Sequence, residues 1–497
     1  GLVWKATQIP PRSVRSLMVS IRHAVHVVLL LMNGIAKLLR ESHDIWELER
    51  GVQYLTQQVA GELLTVMLEA MDETLMAQRK DSLRLIGTRS RTILTLFGAL
   101  TIKRRLYRET ESGQSVFLLD EALGLPAHTR ISGNLAQICQ LISLDVPFRR
   151  AAKIIGLVVP HISAMTVWKC FQKAGREAAA EAQAKREAVF EDGVVPGGTR
   201  RPENLYIEAD GVAINLQRAA ARRAEVRVVV SYEDKKNVGT KERPRRVLQE
   251  RHQVAGLVSG KEIWEEASAA FGEVWDMSSI PSIHIGGDGA EWVKEGQEYF
   301  RNATYHLDPF HLKKRVTEAL GYDSSARKAL ATALRDNSKA AVKKTLSEAA
   351  KARKGAARKR VESLTRYILS NWDGIQATLD GTTLGTIEGH NWRIVALRMK
   401  RRGARWGLKG GNYMPRLLAL REEGALEKLL QKWTKPLDTK RINELAQQTI
   451  ERNKAARKKG REQEWLKAVV PALDGPFAGE AWIKHVLRPL VEAGYVA

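Results

Sequence analysis

Asp210 in YIEADGV, Asp288 in HIGGDGA and Glu388 in TIEGHNW are the residues of this 497-residue chain whose types and settings point to chemistry. Carboxylates hold hard divalent cations, and two such ions roughly 3.5–4 Å apart flank the scissile phosphate in phosphodiester transfer. Two Asp on neighbouring strands and a Glu on an adjacent helix would supply that constellation. Asp-Gly is also a common turn dipeptide. Its weight here comes from both pairs ending or interrupting an apolar strand run. By strand alternation Glu208 shares a face with Asp210, as a supporting residue or a rival. Asp210 is preferred because Gly211 beside it lets a backbone or a phosphate approach closely. Thr386 is a candidate helix cap that leaves Glu388 in the first turn, facing the sheet. Asp308 and His311, in HLDPFHLKKRV, form a D-x-x-H that either positions DNA or a nucleophile, or lets Asp308 cap the next helix.

The elements that must position these acids follow from periodicity. Three strand runs, NLYIEADGVAINL (Asn204–Leu216), AEVRVVVSYE (Ala224–Glu233) and a shorter one at His252–Val258, precede a helix over Gly260–Trp275. Then come a strand ending on an acidic turn (Pro281–Gly289), a helix (Ala290–Phe300) and a strand (Asn302–Leu307). That order matches an RNase H-like mixed sheet with its first and fourth strands side by side, which would bring Asp210 to Asp288. Residues 311–380 are helical and rich in Lys, Arg and Ala. They read as an all-helical insertion, or as solvated charged helices. Within Arg393–Lys409 seven residues are basic and none is acidic. Arg393, Arg398, Lys400, Arg401, Arg402 and Arg405 are thereby candidate clamps for phosphates.

Upstream, a helix is expected from Ser42, a possible cap, to about Met76, with Ile45, Leu48, Val52, Leu55, Val59 and Leu63 along it. Arg91–Glu109 reads as a β-hairpin about Gly98 with a basic second strand. A short helix from Phe148 to Leu157, a turn, and a helix capped by Ser163 and running through Phe171 outline a helix-turn-helix, or a plain helical hairpin. Arg149, Arg150, Thr166 and Lys169 would be its DNA-facing residues. GVVPGGTRRP is the clearest linker. The domains expected are thus 1–90 helical, 91–200 hairpin and helix-turn-helix, 201–310 first part of the core, 311–380 insertion, 381–425 final core helix with Glu388, and 426–497 helical.

Lys and Arg total 80 against 56 Asp and Glu, a formal charge of +24, which suits a polyanionic partner. Cys139 and Cys170 fall in no Cys/His cluster, which argues against zinc fingers and a disulfide framework and fits a reducing cytoplasm. The apolar run Ala24–Met32 is shorter than the roughly 20 residues a membrane span needs. Basic residues ahead of it give it a superficial likeness to a signal peptide, without a clean cleavage site.

The ordered motifs YIEADGV, GDGAEWVKEG, LDPFH and EGHNWRIVALRMKRRGARWG, with RTILTLFGALTIKRRLYR before them and PALDGPFAGEAWIKHVLRPL after, resemble bacterial insertion-sequence transposases related to the Mutator-like and hAT groups. In particular they resemble a branch catalogued as an uncharacterised protein family. The likeness runs from about Arg91 to the C-terminus; Gly1–Leu39 has no clear counterpart. It implies a DDE transposase with Asp210, Asp288 and Glu388 as metal-binding catalytic acids and Asp308 and His311 as the family's C/D-x-x-H. It further implies two Mg²⁺ or Mn²⁺ ions, DNA partners (terminal inverted repeats and target DNA), a homo-oligomer, no membrane and a nucleoid-associated bacterial enzyme. Two alternatives stay open. One is a non-catalytic, domesticated DNA-binding protein; the other is an RNase H-like nuclease that cleaves without joining.

Overall fold

A computed structural model describes residues 21–240, 246–379 and 384–431, with short pieces at 444, 447–448, 451, 479–481 and 483–488. Most of the helical region expected at 426–497 lies outside the described residues. The chain divides into two compact units, one of Gly1–Cys139, Arg149–Val167 and Lys432–Ala497, the other of Gln140–Phe148 and Trp168–Gln431.

The first unit begins with α1 (Ile21–Glu41) and α2 (Ile45–Ala77). Asp44, not Ser42, caps α2, its carboxylate accepting the Glu47 N–H at 2.8 Å. Two long antiparallel strands follow, β1 (Leu83–Thr95) and β2 (Gly98–Glu109), with a short β3 (Ser115–Val116) and α3 (Leu118–Ala122). The ribbon starts eight residues before the expected Arg91, because the polar run from Leu83 pairs residue for residue with β2 across one bulge at Ile86. Leu75, Ile93, Ile102 and Leu119 form its core. Next in the chain come α4 (Gly133–Asp145), α5 (Phe148–Ile155) and α6 (Ala164–Phe190). Ser163 does cap α6, accepting from the Thr166 N–H at 3.1 Å. The helix expected to stop at Phe171 continues to Phe190, since nothing before GVVPGG breaks it.

The second unit is built on a mixed five-stranded sheet. Its strands are β4 (Asn204–Asn215), β5 (Arg223–Tyr232), β8 (His252–Gly256), β9 (Ser282–Gly287) and β10 (Ala303–Leu307), after an unforeseen two-stranded extension β6 (Asp234–Asn237) and β7 (Arg246–Gln249). The order is β10-β9-β4-β5-β8, with β4, β9 and β10 parallel and β5 antiparallel to both β4 and β8. The first and fourth runs are therefore neighbours, as expected. Val226, Val228, Val229 and Val230 are buried on both faces of β5, as a strand covered on two sides requires.

One face packs on α7 (Gly260–Gly272), whose start is closed by a Ser259–Glu262 capping box. After α8 (Glu291–Lys294), five helices run from the end of β10: α9 (Pro309–Leu320), α10 (Ser324–Arg335), α11 (Lys339–Lys351), α12 (Gly355–Ser370) and α13 (Trp372–Leu379). They are not merely solvated: Leu330, Val342, Leu346, Val361 and Ile368 join the same hydrophobic core as Ile207 and Ile285. α14 (Ile387–Asn391), a π-helical turn at Trp392–Ala396, α15 (Leu397–Met399), α16 (Leu408–Glu422) and α17 (Leu426–Gln431) complete the unit. Among the described residues no helix is long and apolar enough to cross a membrane.

Candidate active site

Parallel pairing of β4 with β9 sets Glu208 beside Gly286. Continued by two residues, the register brings Asp210 level with Asp288, just past the end of β9. Glycines make the approach possible. A side chain at Gly287 would meet the Ala209 carbonyl oxygen at 2.8 Å, and Gly289 has φ +93°, so the chain turns at once after Asp288. The turn is fastened by the Ala290 N–H donating to Asp288 Oδ1 at 2.9 Å and the Tyr367 hydroxyl donating to the Asp288 carbonyl at 2.7 Å.

Asp210 is largely buried. Burial, then the neighbouring charge of Asp288, pushes its carboxyl up to about 6, against the opposing pull of the Gly211 N–H, His311 and Asn391. Two donors reach it: the Gly211 N–H at 2.7 Å to Oδ1 and the Asn391 side-chain amide at 2.5 Å to Oδ2.

Glu208, on the same face of β4, has a different task. It is 2% exposed and its carboxylate accepts from the backbone N–H groups of Gly385, Thr386 and Ile387 at 3.0, 2.7 and 3.0 Å. It also accepts from the Thr386 hydroxyl at 2.7 Å and the Tyr232 hydroxyl at 2.6 Å. Thr386 stands at the cap position of α14 but makes no side-chain cap. The acid of β4 supplies that function across the fold, and so fixes the helix that carries Glu388 and Asn391.

The face that α14 turns inward is Ile387, His390 and Asn391, all buried, whereas Glu388 is exposed. Glu388 is near enough to Asp308 to raise its carboxyl, and Asn391, one turn on, is the residue of α14 in contact with Asp210. Asn391 escaped sequence reasoning, although its i,i+3 spacing from Glu388 sets both on neighbouring flanks of one helix. Among the described residues no group of three or more His, Cys, Asp or Glu side chains is arranged to hold a metal ion.

Asp308 caps α9, its Oδ1 accepting the Phe310 N–H at 2.8 Å, and it also stands 3.8 Å from His311 Nε2. Burial first, with smaller effects from Glu208 and Glu388, raises its carboxyl above the usual range. Of the two readings of the D-x-x-H, the cap is the one observed: Asp308 starts α9, and it also lies within electrostatic reach of Glu208 and Glu388.

The basic candidates separate. Arg398 is withdrawn from the phosphate clamp. Its guanidinium donates to the carbonyls of Ser143 (3.3 Å) and Val146 (3.1 Å) and stacks over Trp406 at 5.1 Å. Arg393 is exposed and only loosely near Glu422, at 3.8 Å. Arg401 is exposed and lies over the Trp392 ring at 4.6 Å. Lys400 and Arg405 are exposed, and Arg402 belongs to the turn Arg401–Gly403. Of the α5 and α6 residues, Arg149, Arg150 and Lys169 are exposed, while the Thr166 hydroxyl is held at 2.9 Å by that of Ser163.

The family model described as "Uncharacterised protein family (UPF0236)" matches residues 38–435, and the chain belongs to that family. A UPF0236 protein of Caldanaerobacter subterraneus subsp. tengcongensis, whose name joins eleven locus tags of that bacterium, is 25% identical over 410 residues, 81% of this chain and 83% of the relative. A second from the same bacterium is 26% identical over 393 residues, covering 78% and 80%. The UPF0236 protein in the vanSb 3′ region of Streptococcus gallolyticus is 26% identical over 419 residues, covering 80% and 87%.

Proposed function

We propose that this member of the family is a DNA transposase, with an RNase H-like catalytic core in its sheet unit and Asp210, Asp288 and Glu388 as its acids. One observation carries the proposal: Asp288 stands just past the carboxyl end of β9, and Asp210, inside the adjacent parallel β4 and two residues beyond its last pair with β9, lies beside it, in a sheet where β5 alone runs the other way. Ligand sites in open α/β sheets lie outside such carboxyl ends. The helices from Pro309 to Leu379 fall between the second and third acids, as an insertion into such a core would.

The donor set suits a divalent cation. Two carboxylates held together, one pushed up to about 6 by burial and by its neighbour, are relieved by a hard cation between them. Asp210 and Asp288 would hold it, with Glu388 the third acid. When bound, Mg²⁺ or Mn²⁺ would offset the charge on the phosphate undergoing transfer. Glu208 keeps the helix of Glu388 in place, and Asp308 and His311 stand ready to orient a reacting group. Exposed Arg149, Arg150 and Lys169 supply cations for DNA in the helix-turn-helix reading. A relative carried at eleven loci of one genome is what repeated copying of a coding sequence would leave behind.

The test is strand transfer. The purified chain is incubated with DNA fragments spanning the flanks of its own gene, a plasmid target, and Mg²⁺ or Mn²⁺. Joined products are expected. Nicking without joining would make it a nuclease, and binding without either would make it a non-catalytic DNA-binding protein.

A further inference from the structure

Resting on Asp210 and Asp288 as the metal-holding pair, we infer that the side-chain oxygen of Asn391 is a third, neutral oxygen ligand of that cation site. Asn391 is 7% exposed, and its Nδ2 donates to Asp210 Oδ2 at 2.5 Å. Its Oδ1 is buried and has no hydrogen-bond donor among the described residues. Asp210 itself decides which atom of the amide is which. An amide oxygen turned toward a carboxylate would meet no donor, so the NH₂ faces Asp210 and the oxygen is the atom left over. A buried acceptor without a donor is costly and calls for an ion or a water. Beside two carboxylates the electrostatic field favours the cation, and an amide carbonyl is among the oxygens that Mg²⁺, Mn²⁺ and Ca²⁺ accept.

The site is also rigid. Three consecutive backbone N–H groups at the start of α14 are held by Glu208, so Asn391 is delivered to Asp210 by a helix fixed to the same strand. Asp210, Asp288 and Asn391 make an oxygen set in which only two members are acids. Glu388, exposed one turn earlier, is then free to meet a cation or phosphate from the solvent side.

The experiment is titration of the full chain, without DNA, with Mn²⁺ alone, read by calorimetry and by the spin-resonance signal of free Mn²⁺. Asn391→Ala is expected to weaken Mn²⁺ binding on the order of tenfold or more. Asn391→Asp, of nearly the same shape, is expected to bind Mn²⁺ at least as tightly as the parent. Mn²⁺ should also raise its melting temperature more than the parent's, because the metal relieves the added repulsion from Asp210. That second variant keeps the question open to refutation even if Asn391→Ala does not fold. Should Asp288→Asn abolish Mn²⁺ binding while Asn391→Ala binds like the parent, or while Asn391→Asp binds more weakly than the parent or gains no more melting temperature from Mn²⁺ than the parent does, Asn391 serves only to orient Asp210 and the assignment is overturned. A parent chain that binds no Mn²⁺, or binds it independently of Asp288, would overturn the metal-holding pair and with it the role of Asn391.

Discussion

The β1–β2 ribbon and the end of the β4–β9 pair treat charge by the same rule with opposite sign. The ribbon carries seven basic residues and one acid, Glu109. Arg91 and Arg104 are held by Asp120, and Arg105 by Asp72 at 2.7 Å. The side chains of Arg84, Arg89 and Arg108 are exposed and have no acidic partner among the described residues, and Arg84 lies directly opposite Arg108. At the sheet end, Glu208 accepts five hydrogen bonds, while Asp210 accepts two and Asp288 one, and Asp210 feels the neighbouring charge of Asp288. Partners are supplied where burial would otherwise make a charge too costly. What is left over, cations on the ribbon and acids at the sheet end, would under the proposed function serve phosphate and a metal respectively.

The largest effect should come from breaking the uncompensated pair of acids. Asp288→Asn is expected to lower strand cleavage on the order of 10³-fold or more, since losing one carboxylate removes several kcal/mol of transition-state charge stabilisation. DNA affinity should change little, because few phosphate contacts are touched. A gel assay of nicking alongside a binding titration separates the two, and undiminished cleavage would sink the role of Asp288.

Breaking a compensated site should instead unfold the protein. Asp120 lies among Arg91 and Arg104, all with side chains under 15% exposed, and Arg91 also donates to the carbonyls of Pro126 and Thr129 at 2.7 and 2.8 Å. Asp120→Ala strands two buried guanidinium groups at a cost of about 3–5 kcal/mol. Urea denaturation should show this as a lowered midpoint, and a loss under 1 kcal/mol would mean that the pair is solvated.

How much of this was legible depends on the range of the interaction concerned. β4 and β9 announce themselves through alternating apolar residues such as Leu205 and Ile207, and Ile283 and Ile285, so the neighbouring positions of Asp210 and Asp288 followed from strand order. The cap of α14 did not, because Glu208 reaches Thr386 from 178 residues away, and local patterns show no such partner. Arg398 misled for a related reason. A basic residue in a basic run reads as solvent-facing, yet its stem packs inward and its head is consumed by carbonyls near Ser143, so that burial pulls it down to about 10. Asn391 carries no charge and belonged to no expected ligand set. Only the register of α14 against β4 reveals it.

Glu423 is the intermediate case, a half-buried acid that accepts the Gln253 N–H and stands 3.9 Å from His252 Nδ1. Burial pushes its carboxyl up to about 7, with weaker opposing effects from the Gln253 N–H, Arg251 and Lys185. Its folded value stands above the unfolded 4.5, so the fold binds this proton more tightly than the unfolded chain does. Stability is therefore full below about pH 4.5 and is lost as pH rises through 7. Glu423→Gln keeps an acceptor for the Gln253 N–H and removes the titration. It should add up to about 3 kcal/mol at pH 8 and nothing at pH 4, in parallel thermal melts. An equal gain at both values would show that something other than ionisation had changed.

The smallest effect tests the ribbon's leftover cations. Arg84 and Arg108 face each other across the strands, an arrangement that costs stability unless an anion lies over it. The double variant Arg84→Gln, Arg108→Gln should therefore melt no lower than the parent. If both side chains meet phosphates, the slope of log affinity against log salt on duplex DNA should flatten by about 2, at roughly 0.9 per phosphate contact. The affinity loss should be similar for unrelated sequences, because phosphate contacts carry no base information. Arg105→Gln is the contrasting control. Its partner Asp72 is 1% exposed, so that change should lower the melting temperature and leave the slope where it was. A flattened slope in the control, or an unchanged one in the double variant, would mean that unpaired charge on the ribbon does not mark where DNA lies and would move the contact to cations such as Arg149 and Arg150 on α5.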